Sequence, residues 1–158
     1  MRILGIDPGT KRIGYGLIQG VRQPKLLTYG VIEVKSIDEA AALLELSDKF
    51  SALLQELKPE LAGVERVYFS KNQKTAIPVS QARGVIMVAL LGRGVRVREW
   101  RPVEVKQAIT NYGFADKKAV AKMVARILGV ESFTGYDDAT DALAIAIATA
   151  FRETGIPG

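Results

Sequence analysis

The sequence contains neither cysteine nor histidine. Without cysteine, the chain can form no disulfide framework, no thiolate metal site and no thiol nucleophile. Without histidine, it lacks the most common general base of enzymes and the most common ligand of transition metals. Any catalysis must therefore use carboxylates, lysine, tyrosine, serine or threonine, with or without a hard metal ion.

Long hydrophobic runs are also missing. The longest apolar stretches, Val85–Leu91 and Ala142–Ala150, are far shorter than the roughly 20 residues that a membrane-spanning helix needs. The N-terminal segment Met1–Asp7 reaches a charged residue too early to be the apolar core of a targeting signal. We therefore expect a soluble, cytoplasmic protein with no membrane partner.

The length and the apolar content fit one globular domain. The chain has 158 residues, 48% of them hydrophobic, which is enough for one core. No linker, internal repeat or low-complexity segment divides it. We expect residues 1–158 to form a single domain.

The basic residues are concentrated in the middle of the chain. Residues 66–126 carry 13 Lys/Arg against 3 Asp/Glu, a local net charge of +10 within a chain of net charge +5. Ordinary solvated surface charge is one interpretation. The other is a face that binds a polyanion such as nucleic acid, beside a metal site built from the acidic remainder.

Hydrophobic periodicity and turn residues predict an α/β fold. The predicted strands are Ile3–Ile6, Ile13–Ile18, Leu26–Val34, Leu61–Phe69 and Val95–Trp100. The predicted helices run from Ser36 through Leu57 and over Lys74–Leu91, Pro102–Ile109, Asp116–Leu128 and Asp138–Phe151. The first three strands can form an antiparallel meander, whereas the later strands need crossover helices and should be parallel. This order predicts a mixed five-stranded sheet flanked by helices.

Two carboxylates are associated with predicted strands. Asp7 ends the first strand, at the edge of the sheet where α/β proteins bind ligands, although Asp7–Thr10 could be a simple turn. Glu65 interrupts an apolar strand, where a carboxylate is costly unless a cation compensates it. Alternatively, Glu65 lies on an exposed face or pairs with Arg66 or another base.

Three further acids open the last predicted helix. Asp138 and Asp141 are three residues apart and share one helix face, and Asp137 could share it too. Acids in a first turn also cap a helix and complement its dipole, which explains Asp137 and Asp138 well. This explanation fits Asp141 less well, because a small, apolar run follows it directly.

Taken together, the acids indicate a metal site. Asp7, Glu65, Asp138 and Asp141 would repel one another if they converged, and they would need cations. Ligation by oxygen alone, without histidine, suits Mg²⁺ or Mn²⁺ rather than zinc. Two such ions can activate a water molecule and stabilise the leaving oxygen of a phosphodiester.

A series of short motifs resembles one family of nucleases, the RuvC-type Holliday junction resolvases of the ribonuclease-H-like superfamily. The motifs occur in order over nearly the whole chain, and they are Gly5–Gly9, Gly14–Gly16, Glu65–Val67, Lys71–Asn72, Gln81–Gly84, Val105–Gln107 and Asp138–Ala146. Each motif is weak alone, but the series is specific.

The resemblance implies a ribonuclease-H-like fold, a homodimer and a Mg²⁺-dependent cut of two opposed strands at a four-way DNA junction, in recombination and repair. It implies two ions per active site, with Mn²⁺ as a possible substitute, and cooperation with a branch-migration complex of the RuvA/RuvB type. The metal ligands would be Asp7, Glu65, Asp138 and Asp141. Some family members have His at the position of Asp138.

The resemblance also implies residues that contact DNA. It places Lys106 and Lys117 near the scissile phosphate, with Lys117 counted among the catalytic residues, and aromatic residues at Tyr68 and Phe69 that stack on bases. The predicted DNA-contacting residues are Tyr68, Phe69, Lys71, Lys74, Arg83, Lys106, Lys117 and Lys118. Ordinary surface lysines and core packing of one of the two aromatic residues are the alternatives. The helix around Ile77–Leu91 is apolar on more than one side and is our candidate for the dimer surface.

Three other functions compete with this interpretation. The segment Asp7–Gly14 also resembles the related nucleases that process ribosomal RNA precursors, although the Gln81–Gly84 motif and the last helix fit the resolvases better. The segment Asp7–Thr10 resembles the phosphate loop of the actin and sugar-kinase folds, which need two such domains. The third alternative is a DNA-binding protein whose carboxylates are structural.

Overall fold

The sheet has the topology that the sequence predicts. The structure, a computed structural model, describes residues 1–67 and 73–155. Five strands form one mixed sheet in the order β3-β2-β1-β4-β5. Their bounds are β1 Arg2–Asp7, β2 Arg12–Gln19, β3 Lys25–Glu33, β4 Leu61–Glu65 and β5 Arg96–Trp100. The first three strands are antiparallel neighbours, and β4 is parallel to both β1 and β5.

Helices cover both faces of the sheet. Their bounds are α1 Glu39–Leu57, α2 Gln73–Leu91, α3 Pro102–Thr110, α4 Lys117–Leu128 and α5 Asp137–Glu153. One apolar cluster joins the sheet to α1 and α2, and a second cluster joins the opposite face to α3, α4 and α5. The mixed sheet flanked by helices is therefore confirmed. None of the helices within the described ranges is both long and apolar enough to cross a membrane.

Helix α5 lies unusually close to the sheet because glycines face it. A Cβ atom added at Gly5 would collide with the backbone of Ala142, and one added at Gly14 would collide with the backbone of Asp138. Strand glycines therefore leave room for the helix backbone itself. This close approach brings the first turns of α5 to the ends of β1 and β4.

The end of β4 differs from the prediction. The sequence predicts a strand over Leu61–Phe69, but β4 ends at Glu65, and residues 68 and 69 lie outside the described part of the chain. The Arg66 N–H still donates to the Trp100 carbonyl oxygen at 2.8 Å. The neighbouring strand β5 then ends, and Pro102 starts α3, so a longer β4 would lack a pairing partner.

Candidate active site

Asp7 and Glu65 lie side by side at the carboxyl ends of two parallel strands. The parallel register pairs Ile6 with Val64, so that the next residues of the two strands are Asp7 and Glu65. Because side chains alternate along a strand, both carboxylates project to the face covered by α5. This is the edge of the sheet at which α/β proteins place their ligands. Asp7 is therefore the last residue of β1 and lies half-buried beside a second carboxylate.

The fold makes ionisation of both groups unfavourable. Burial, followed by the charges of Glu65, Asp141 and Asp138, raises the pKa of Asp7 to about 8, although Lys117 opposes the rise. Burial, followed by the charge of Asp141, raises the pKa of Glu65 to about 7, against the effect of Lys117 and Lys106. Desolvation and like charges both favour the neutral acid. A bound cation would remove this penalty.

The two acids of α5 are held by cations of the chain itself. Lys117 Nζ donates to Asp141 Oδ2 at 3.2 Å, and this contact opposes the burial that raises the pKa of Asp141. Arg12 Nε donates to Asp138 Oδ2 at 3.3 Å. The Arg12 guanidinium also lies over the ring of Tyr136, 4.1 Å from the ring centroid. Neither acid caps α5, because the N-cap residue is Tyr136 and makes no side-chain capping bond.

These side chains surround one cleft of about 330 Å³. Its polar lining consists of Asp7, Glu65, Asp141, Lys106 and Lys117, and its floor is apolar. The structure thus brings together three of the four predicted metal ligands and the two lysines predicted to lie near the scissile phosphate. Asp138 does not line the cleft, although its charge still raises the pKa of Asp7.

The donor set fits a hard divalent cation, but the carboxylates do not converge as metal ligands in this structure. Over residues 1–67 and 73–155, no group of three or more carboxylates is placed to hold a metal ion. Asp138 and Asp141 point to Arg12 and Lys117 instead. For all four carboxylates to bind a metal ion, these two acids must break their ion pairs with Arg12 and Lys117.

Arg83, which the sequence predicts to contact DNA, is held by a glutamate. Arg83 Nη2 donates to Glu99 Oε2 at 2.6 Å, and Arg66 Nε donates to the same oxygen at 3.2 Å. Arg83 Nε is buried and has no partner within the described structure. The pairing of Arg66 with Glu99 also removes the alternative that Arg66 compensates Glu65.

The basic middle of the sequence divides into two parts. On the β5 side, arginines pair with acids: Arg96 and Arg98 with Glu153, and Arg101 with Glu104. On the side of α3 and α4, four basic residues form no ion pair with a described residue: Lys106, Lys118, Lys122 and Arg126. Of these, Lys118, Lys122 and Arg126 are exposed. Lys74 is exposed near the start of α2. Tyr68, Phe69 and Lys71 lie outside the described residues.

Three residues near the cleft were not singled out by the sequence. Arg12 contacts Asp138 across 126 positions of sequence, Tyr136 lies beneath the Arg12 guanidinium, and Glu99 joins two arginines. Each role depends on a partner that only the folded chain brings near. We find no signal in the linear sequence that would have identified them.

Comparisons with known proteins agree over nearly the whole chain. A family model described as crossover junction endodeoxyribonuclease RuvC matches residues 3–149. A relative of that description from Syntrophomonas wolfei is 44% identical over 149 residues, which are 93% of this chain and 87% of the relative. One from Chloroflexus aurantiacus is 41% identical over 153 residues, which are 96% of this chain and 93% of the relative.

Solved structures give the same result. Thermus thermophilus RuvC in complex with Holliday junction substrate superposes with a TM-score of 0.87 and 31% identity, covering 98% of this chain and 96% of that chain. The yeast mitochondrial Holliday junction resolvase has a TM-score of 0.67 at 12% identity, with 96% of this chain and 80% of that chain covered, which is a likeness of fold alone. The expected ribonuclease-H-like fold is thereby confirmed.

Proposed function

The chain belongs to the crossover junction endodeoxyribonuclease RuvC family, and from this premise we propose that it resolves Holliday junctions by nicking two opposed DNA strands. The observation that carries the proposal is the cleft that half-buried Asp7, Glu65 and Asp141 line together with Lys106 and Lys117. Clustered carboxylates of raised pKa are typical of sites that act on a substrate through a cation. The flanking lysines suit a phosphate backbone.

The proposed cofactor is Mg²⁺, at two ions per site, with Mn²⁺ as a substitute. Asp7, Glu65, Asp138 and Asp141 would hold the metal. When bound, divalent ions supply a water of lowered pKa for attack on the phosphorus and balance the charge of the leaving oxygen. All-oxygen ligation without histidine supports these metals over zinc.

The chain's own residues position the DNA and balance its charge. Lys117 is catalytic in this proposal: its ammonium group, which contacts Asp141 in the cleft, would balance the charge that develops on the scissile phosphate. Lys106, which also lines the cleft, would contact the adjacent backbone. Lys118 and Lys74 extend the contact surface. Tyr68, Phe69 and Lys71, which follow Glu65 closely in sequence, and Arg83 remain proposed DNA contacts.

A homodimer matches the near two-fold symmetry of a four-way junction. Its proposed surface is an apolar stripe on α2, whose exposed residues follow the 4-3 spacing of a helix–helix seam: Ile77, Gln81, Gly84, Val88 and Leu91. Ile77, Val88 and Leu91 are 58%, 73% and 58% exposed, whereas Ile86 and Leu90 on the opposite side of α2 are buried. An exposed stripe of this kind supports an interface between two copies.

The wider setting of the activity is also proposed. Residues 1–158 act as one nuclease domain in the cytoplasm, in DNA recombination and repair. A branch-migration complex of the RuvA/RuvB type is the expected partner.

The decisive experiment is a cleavage assay on a synthetic four-way DNA junction, with linear duplex and RNA as controls, with and without Mg²⁺ or Mn²⁺. We expect paired, symmetric, metal-dependent nicks on the junction alone. Asp7→Asn should bind the junction but not cut it, whereas Asp48→Asn, on an exposed face of α1, should cut normally. Cutting by Asp7→Asn would refute the metal-ligand role, and cleavage of RNA alone would refute the resolvase proposal.

A further inference from the structure

Two aromatic residues are exposed on the loop between α3 and α4. Tyr112 is 60% exposed and Phe114 is 80% exposed. Their rings form an edge-on pair, with centroids 6.0 Å apart and an interplanar angle of 63°. Two adjacent exposed rings form a contiguous apolar patch, which is a candidate contact surface. Neither residue belongs to the cleft lining described above.

The loop that presents this pair is ordered by hydrogen bonds. The Tyr112 N–H donates to Thr110 Oγ1 at 3.2 Å, and the Ala115 N–H donates to the Tyr112 carbonyl oxygen at 3.1 Å. Asn111 ends α3 in the left-handed conformation, with φ of 60°. Asp116 then caps α4 through the Ala119 N–H. The rings are therefore displayed on a defined support, which lowers the entropic cost of binding.

The loop that carries the pair joins two helices that line the catalytic cleft. Lys106 of α3 and Lys117 of α4 line the cleft on either side of this loop. Phe114 precedes Lys117 by three residues, so their Cα atoms are at most about 11 Å apart. Lys118 is exposed immediately afterwards. Exposed rings among lysines are typical of surfaces that bind nucleic acid by combining base stacking with backbone contacts.

We propose that Tyr112 and Phe114 form a stacking platform for an unpaired DNA base at the branch point, in addition to any stacking by Tyr68 and Phe69. The proposal rests on the proposed function. A second copy of this chain is not the occupant favoured by the structure, because the apolar stripe of α2 lies on the other face of the sheet from α3 and α4. The neighbouring lysines favour a polyanion.

The test uses junctions with 2-aminopurine beside the branch point, and the variants Phe114→Ala, Phe114→Leu and Phe114→Trp. We expect Phe114→Ala to weaken junction binding roughly 5- to 150-fold, as expected for the loss of one stacked base, and to raise the 2-aminopurine fluorescence. Phe114→Leu should behave like Phe114→Ala because it lacks a π-face, whereas Phe114→Trp should bind as the wild type does. Leu44→Ala, which removes an exposed apolar side chain on α1, is the matched control.

Each outcome decides the proposal. Equal affinity and equal fluorescence for the wild type and Phe114→Ala would overturn it. Wild-type affinity of Phe114→Leu would also overturn it, because an apolar contact without stacking would then suffice. A change in sedimentation of Phe114→Ala without a change in DNA affinity would identify a protein interface instead. A wild-type protein that fails to bind the junction would refute the proposed function itself, together with this inference.

Discussion

Among single residues, Asp7 is the side chain whose ionisation the fold opposes most clearly. Its pKa rises from 3.8 to about 8, chiefly through burial and then through the neighbouring carboxylates. A folded-state pKa above the unfolded value means that the native state holds the proton more tightly. Between about pH 4 and pH 8, the free energy of unfolding should therefore fall as pH rises.

Replacing Asp7 with Asn should stabilise the metal-free protein at high pH. The amide cannot ionise, so we expect Asp7→Asn to raise the melting temperature at pH 8.5 by several degrees, corresponding to about 1 kcal/mol or more at roughly 2–4 °C per kcal/mol. At pH 4.5 the difference should be clearly smaller, because only the start of the interval between the unfolded and folded pKa values of Asp7 has then been crossed. Thermal unfolding in EDTA at both pH values measures this effect.

Divalent metal should reverse the order of stability. If Mg²⁺ binds the native carboxylates, it should raise the melting temperature of the wild type with increasing concentration but should raise that of Asp7→Asn much less. Asp48→Asn should respond as the wild type does. An equal metal response of the wild type and Asp7→Asn would contradict the ligand role of Asp7.

At the scale of elements, the packing of α5 on β1 sets the geometry of the site. We expect Gly5→Ala to lower the free energy of unfolding by about 3 kcal/mol or more, because the added Cβ collides with the Ala142 backbone and must displace the helix. Gly84→Ala is the control, since an added Cβ there meets nothing within 4 Å. Denaturant unfolding tests this, and a Gly5→Ala protein of wild-type stability would show that α5 yields easily.

Helix α4 presents a basic stripe that continues from the cleft. Lys118, Lys122 and Arg126 are exposed and four residues apart, and they rise about 6 Å per step along one helix face. This spacing suits successive phosphates of a DNA arm. The double variant Lys122→Gln/Arg126→Gln should weaken junction binding and reduce the slope of log K against log salt by about 1–2, at roughly 0.9 for each phosphate that the protein no longer neutralises.

The matched control for this stripe removes two charges at the opposite end of the sheet. Arg22→Gln/Lys25→Gln changes exposed residues in the β2–β3 connection and at the start of β3, which lie beside the start of β1, far from the cleft. We expect its salt slope to remain near the wild-type value. Equal slopes for both double variants would mean that net charge, and not the α4 stripe, attracts DNA.

At the scale of the whole molecule, paired nicking requires two active sites on one junction. Val88→Glu places a charge in the middle of the exposed α2 stripe, and we expect it to convert a dimer into monomers by sedimentation. Cuts on the two strands should then become uncoupled. Arg22→Glu, which changes an exposed residue of the β2–β3 connection, should leave the oligomeric state unchanged, and a dimeric Val88→Glu protein would place the interface elsewhere.

Local sequence patterns are enough to establish the fold class and the location of the central carboxylates along the chain. Apolar runs of strand length alternate with segments of helical periodicity, and this pattern predicts the order of strands and helices along the chain. The prediction succeeds because the side-chain pattern of each element is local in sequence. For the same reason, Asp7 could be placed at the end of a strand and Glu65 within one. Asp141 could be identified as a candidate metal ligand because a small, apolar run follows it directly, which a simple helix-capping role does not explain.

Which charged side chains form pairs depends on the three-dimensional fold and could not be predicted. Arg12 holds Asp138 from 126 residues away, and Glu99 draws Arg83 into an ion pair, while Lys122 and Arg126 stay exposed. The sequence treats all these residues alike as members of a charged region. Their partners depend on sheet order and on the close packing of α5 against the strand glycines, which bring distant segments together. The end of β4 at Glu65 has the same kind of cause, because a strand continues only while its neighbour supplies hydrogen-bonding partners.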